Sequence, residues 1–305
     1  MHSSPPRPAF AGLLTALLCL ACPLARAGDR EAVERYQEAV RHWGDPDPSA
    51  ALKAAEEALV QAQSKKIRAN VLLLLGRLHS ARVGDNAKAL EYYERIIEEV
   101  SEHSPRDAPL RGIKAEALLS KGNILLADRD DREAALALYR RSHEVRATPA
   151  NCDVLSQFLL RDSFAVDGAE RRARLQKALA YAGEAVHLAE SGGRTRPERL
   201  ARLRLQRVLV LTALGEEERA RKAFDDLGGE AALDEGAAYQ LALLRALQGA
   251  DAATVARHLR RAMSLRPTPS ARNQLRRWIR SEPLFARLRE DPSWKELVED
   301  EPEAG

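Results

Sequence analysis

A five-residue phrase, Ala-Leu-x-x-(Ala/Tyr), keeps returning along this chain. It reads Ala51-Leu52-Lys53-Ala54-Ala55, Ala89-Leu90-Glu91-Tyr92-Tyr93, Ala135-Leu136-Ala137-Leu138-Tyr139 and Ala178-Leu179-Ala180-Tyr181-Ala182. Fainter copies are Ala220-Arg221-Lys222-Ala223-Phe224 and Val255-Ala256-Arg257-His258-Leu259. A small residue is followed four positions later by a larger or apolar one, and three later again by a third. That spacing sets all three on one stripe of an α-helix. Residues 88–100 show the pattern in full. Ala89, Leu90, Tyr93, Ile96, Ile97 and Val100 share one face, and Lys88, Glu91, Glu94, Arg95, Glu98 and Glu99 the other. Self-similarity at intervals of 35 to 46 residues leaves few folds open, because each unit must bury its apolar stripe against a neighbour.

Each such helix has another before it. Asn70–Val83 carries Leu72, Leu75-Gly76 and His79, and Ala115–Ala127 carries Leu118, Gly122 and Leu125. A glycine on a helix face admits a close neighbour, and the small residues at 51, 89 and 135 supply the matching surface. Gly84-Asp85-Asn86, Asp128-Arg129-Asp130-Asp131 and Gly215-Glu216-Glu217 stand between the helices as stop and N-cap signals. Composition agrees: aromatics are 5% of the chain, and helix formers dominate.

The series Leu72…Leu75-Gly76…Ala89…Tyr93…Ile96 and Leu118…Gly122…Leu125…Ala135…Tyr139 resembles the tetratricopeptide (TPR) repeat. Leu259 to Pro267 is similar to the close of a TPR second helix. Residues 236–298, above all Ser281-Glu282-Pro283-Leu284-Phe285 to Asp291-Pro292-Ser293-Trp294, resemble the end-of-group module that closes TPR arrays in bacterial proteins. The resemblance implies an all-α, right-handed superhelical solenoid of about six helix pairs with short capping helices at its C-terminus. The repeats fall near 29–62, 66–100, 108–146, 150–190 and 196–227, within an array over 28–235. The module at 236–298 follows, then an acidic, disordered tail at 299–305. The spacings exceed a strict TPR period of ~34 residues. Irregular pitch and mobile loops are expected where Ser101–Pro109, Asp162–Glu170 and Glu190–Pro197 add length. Pro283 and Pro292, each after an acidic residue, suit the first turns of two short helices that fold Leu284, Phe285, Leu288, Trp294, Leu297 and Val298 over the last repeat.

The N-terminus follows different rules. Phe10 to Leu24 is almost wholly apolar and leads into Ala25-Arg26-Ala27 before Gly28, the pattern of a secretory signal peptide over residues 1–27. The expected protein is exported, periplasmic or extracellular. Leu20-Ala21-Cys22 also resembles the end of a bacterial lipoprotein box, which makes Cys22 a candidate lipid acceptor and gives a membrane partner only in that case. Cleavage after Ala27 leaves Cys152 as the single cysteine and excludes an internal disulfide. It also reduces 48 basic residues against 45 acidic ones to near balance, which argues against a nucleic-acid partner.

Chemistry-bearing motifs are absent: there is no G-x-S-x-G, P-loop or H-E-x-x-H. The sequence therefore implies no enzyme, no cofactor and no metal site. Asp128, Asp130 and Asp131 lack the glycine and glutamate of a calcium loop and read as a capped turn. His143-Glu144 reads as solvated surface, and Cys152 as a small buried residue. The expected function is a scaffold or adaptor of the cell envelope that holds a peptide or protein in a concave groove. A membrane-tethered lipoprotein or self-associating spacer is the alternative. By alignment to Gly76 and Gly122, the resemblance places Asn70, Arg77, Ser80, Glu116 and Asn123 on that groove, with Arg202 and Thr212 from the fifth unit. Leu119 stands where a carboxylate-clamp lysine would be. Arg204 belongs to the dense stripe Arg194, Arg196, Arg199, Arg202, Arg204 and Arg207, a candidate site for an acidic ligand.

Overall fold

The computed structural model describes residues 27–193, 195–230, 233–266 and 269–299. The expected leader with Cys22, the stripe residue Arg194 and the acidic tail beyond Glu299 lie outside the described residues. Every regular element among those described is helical, with no strand. The chain divides into two compact units, Met1–Ala147 and Thr148–Gly305. The first holds α1 (Ala27–Arg41), α2 (Ser49–Gln61), α3 (Lys65–Leu78), α4 (Asn86–Glu99), α5 (Arg111–Arg129) and α6 (Arg132–Val145). The second holds α7 (Pro149–Asp162), α8 (Gly168–Ser191), α9 (Pro197–Ala213), α10 (Glu217–Asp226), α11 (Ala238–Leu247), α12 (Ala252–Ser264), α13 (Pro269–Ser281) and α14 (Pro292–Val298).

Local chemistry starts and stops these helices where the sequence signals it. Asp85, Asp131 and Asp251 cap α4, α6 and α12 by accepting from Lys88 N, Ala134 N and Thr254 N at 2.7–3.0 Å. Thr148 and Asn151 form a reciprocal capping box at the start of α7. Each such cap is worth about 1 kcal/mol. α3 runs on into a single π-turn, His79–Val83, which Gly84 closes at φ +82°.

Consecutive helices pack as pairs: α1 with α2, α3 with α4 and α5 with α6, then α7 with α8, α9 with α10 and α11 with α12. Within each unit the first helix of a pair also touches the first helix of the next, so α1, α3 and α5 are neighbours, as are α7, α9 and α11. One core in the first unit gathers Ala51, Ala55, Leu72, Leu75, Ala89, Tyr93 and Ile96. In the second, a core of Leu205, Leu209, Leu241, Leu244, Val255 and Leu259 extends to Phe285 and Trp294.

The glycines meet a partner that the sequence reading did not name. A Cβ on Gly122 would lie 2.7 Å from Tyr139 Cε1, and one on Gly76 would lie closer still to the same atom of Tyr93. Both rings are buried. Each glycine thus makes room for the tyrosine four residues after the small residue, and at Gly122 the Ala135 carbonyl lies beside the ring, 3.3 Å from the same position.

Ser101–Pro109, where the sequence adds length, makes specific contacts. Asp107 is buried and accepts from Ser101 N at 2.8 Å and from Lys65 Nζ, and Pro105–Leu110 forms a 3-10 turn. Glu282 precedes the short helical turn that Pro283 opens, as the sequence suggests, but its side chain makes no cap. It is 3% exposed and pairs with Arg161 Nε at 2.8 Å, while Tyr239 Oη donates to it at 3.2 Å. It anchors the 3-10 turn Pro283–Leu288 onto α7 and α11. Phe285 then packs against Trp294 with ring centroids 5.1 Å apart.

Candidate functional site

The first-helix faces are where the sequence places partner contacts, and each unit presents one. On α1, α3 and α5 the central residue is Arg77, whose side chain is 20% exposed and paired with Glu116 of α5. Two residues nominated separately from two repeats therefore meet. Tyr36 of α1 lies beside Arg77. Its hydroxyl is buried without a hydrogen-bond partner, and burial pushes it up to about 12. Ser80 sits one turn on, where its hydroxyl donates to Arg77 O at 3.3 Å and also bonds the Tyr93 hydroxyl. Asn123 is exposed and accepts from Tyr139 Oη at 2.9 Å, so the tyrosine that fills the Gly122 notch also positions a surface carboxamide. Asn70 is buried, and its amide donates to Lys66 O at 2.8 Å within α3. It supports the face from beneath.

On α7, α9 and α11 the arrangement is less legible from the sequence. Gln157, Leu160 and Arg161 of α7, Gln206 of α9, Tyr239, Gln240 and Leu243 of α11, and Leu284 of the C-terminal turn surround one cleft. Its enclosed space is about 20 Å³, room for about one water molecule and far below the size of a small-molecule site. Gln206 Nε2 donates to Ser156 Oγ at 3.2 Å, and Gln240 Nε2 to Arg202 O at 3.4 Å. Burial alone would lower the Arg161 guanidinium, but the Glu282 carboxylate beside it holds it above its usual range. The same surroundings raise the Tyr239 hydroxyl, mainly through burial and then through Glu282. One turn before Gln157, burial pushes the Asp153 carboxyl up to about 6, against the pull of Gln157, Arg199 and Arg202.

The arginine stripe of α9 divides between two faces. Arg204 turns toward α8 and pairs with Glu190 at 2.7 Å. Arg199 and Arg202 face Asp153, and the Arg202 guanidinium lies beside Gly236 and Asp234. Thr212 donates to Val208 O at 3.0 Å, four residues back on its own helix. Sequence reasoning missed Asp153, Gln157 and Arg161 because the fourth pair has no first-helix glycine to align on. Their spacing of four residues, repeated twice along α7, was the available signal.

Cys152 is buried, and its thiol is pushed up to about 12 by burial and by Glu184. Asp131 caps α6 and Asp128 accepts from Asn86 Nδ2 at 2.8 Å, so two of the three acids of that turn are occupied in structural bonds. Among the described residues no helix is long and apolar enough to cross a membrane. No protein-family model matches the chain, and a comparison with curated proteins finds no significant match.

Proposed function

We propose that this chain is an exported, non-catalytic scaffold: a TPR-like solenoid that holds a peptide or protein on the faces of its first helices. The observation that carries the reading is the side-by-side contact of α1, α3 and α5, and of α7, α9 and α11. Such a row turns half-buried polar side chains from successive pairs toward one side, as a repeat scaffold requires. Arg77 with Glu116, and Arg161 with Gln157 and Gln240, are the polar groups each row offers. An acidic ligand finds Arg199 and Arg202 already facing Asp153 and Arg204 already paired, which favours a partner that reads mixed polarity.

The test is affinity capture from envelope extract with the purified chain, followed by the same capture with Arg77→Ala and Arg161→Ala. One partner recovered by the parent and lost with either variant is the expected result. Recovery unaffected by both substitutions counts against the first-helix faces. Tethering through Cys22 is a separate reading, carried by Leu20-Ala21-Cys22. Acyl labelling that disappears in Cys22→Ala supports it, and a mature N-terminus at Gly28 rejects it.

A further inference from the structure

We propose that the cleft between α7, α9 and α11 grips one peptide group of an extended partner chain, through its main chain and not its side chains. The inference rests on the preceding reading that first-helix faces hold a polypeptide. Three carboxamides, Gln157, Gln206 and Gln240, converge on the cleft from three successive first helices. A carboxamide carries one acceptor oxygen and a donor NH₂, which is the complement a peptide group needs on its two edges.

The unmet hydrogen-bonding capacity here is that of acceptors. Gln240 Oε1 lines the cleft, and Glu282 Oε1 and Asp153 Oδ1 lie beside it. All three are buried with no donor against them. Three of the donors around it are already engaged: Gln206 Nε2 on Ser156, Gln240 Nε2 on Arg202 O and Arg161 Nε on Glu282. The Arg202 carbonyl fixes the Gln240 amide, because turning it over would set two oxygens against each other. A ligand that brings N–H groups meets these open acceptors. Charge narrows the choice further. Arg161, Arg199 and Arg202 face Glu282, Asp153 and Asp234, so the cleft is balanced and favours a neutral amide over an ammonium or a carboxylate. Leu160, Leu243 and Leu284 form dry walls, where a hydrogen bond is stronger than in water. An enclosed space of about 20 Å³ admits an N–H edge and excludes a side chain.

The experiment uses the full chain against a synthetic array of random 15-residue peptides. Retained peptides are resynthesised twice, once with single backbone N-methyl groups and once with single alanines. Methylation at one position is expected to weaken binding roughly fivefold to tenfold, the effect of one hydrogen bond, while alanine there changes little. Gln240→Leu should lose the same factor and become insensitive to that methyl group. Gln240→Met, which keeps the length of the side chain and lacks the acceptor, should lose the same factor and serves if the leucine variant does not fold. Peptides retained without any response to methylation overturn the main-chain reading and leave the scaffold reading intact. So does binding lost with Arg77→Ala and unchanged with both Gln240 variants, since it places the peptide on the other face. An array that retains no peptide overturns both readings.

Discussion

Gly76 and Gly122 each lie under a tyrosine ring that has nowhere to go. Adding a methyl group forces the buried ring or the helix to move, and overpacking of this kind costs about 1–3 kcal/mol. Gly76→Ala and Gly122→Ala are therefore expected to lower the midpoint of urea unfolding, with Tyr93→Leu and Tyr139→Leu backgrounds removing most of the difference. Equal midpoints for parent and alanine variants would show that the notch is not filled. Asp153 makes a pH-dependent prediction. Its carboxyl titrates near 6 in the folded chain, above the usual aspartate range, so the unfolded chain ionises first. The fold is then unpenalised below the unfolded value and loses stability as pH rises through about 6. Asp153→Asn should raise the melting temperature at pH 7.5 and raise it much less at pH 4.5. A variant no more stable than the parent at pH 7.5 refutes the assignment. Cys152, buried with its thiol raised, should stay unmodified by a thiol reagent until denaturant is added.

At the scale of elements, the helix pairs are held by apolar stripes and the ends by specific polar contacts. The C-terminal turn is the clearest case. Pro283–Leu288 contributes Leu284, Phe285 and Leu288 to the core of the second unit, and Glu282 ties its start to Arg161 and Tyr239. Removing Glu282 leaves the half-buried Arg161 charge without its partner. Glu282→Ala should loosen the turn over Phe285 and Trp294, read as a fall in near-ultraviolet circular dichroism and as new binding of an apolar dye. An unchanged near-ultraviolet spectrum would assign the anchoring to the apolar contacts alone. Two of the capped turns were legible in the sequence because their signals are local: Asp85 and Asp131 stand three residues before the amides they accept from, whereas Glu216 of the third turn makes no side-chain cap. The partners of the Glu282 side chain were not legible, because they lie on α7 and α11, far upstream, and no local pattern points to them.

For the whole molecule, the charge balance and the leader make predictions of their own. The full chain has a formal net charge of +3, and loss of Arg7 and Arg26 with residues 1–27 brings it close to neutral. Expression in a bacterial host with an intact N-terminus should yield an exported chain whose mass begins at Gly28. A cytoplasmic chain retaining Met1 would remove the export reading. The two compact units are each organised around three helix pairs, and the second adds α13, the 3-10 turn and α14 after its third pair.

The sequence alone determined that the chain is all-helical and that its helices pack as neighbouring pairs. The reason is that the 3.6-residue period, the caps and the pair-forming turns are properties of short stretches. It also nominated Arg77 and Glu116 without indicating that they meet. Tertiary structure alone decided which ring fills each glycine notch and which arginines of α9 are already engaged. It also decided that Gln157, Gln206 and Gln240 share one cleft. Those outcomes depend on how one helix is placed against another, and the placement follows from core packing over many residues, which no window of the sequence contains.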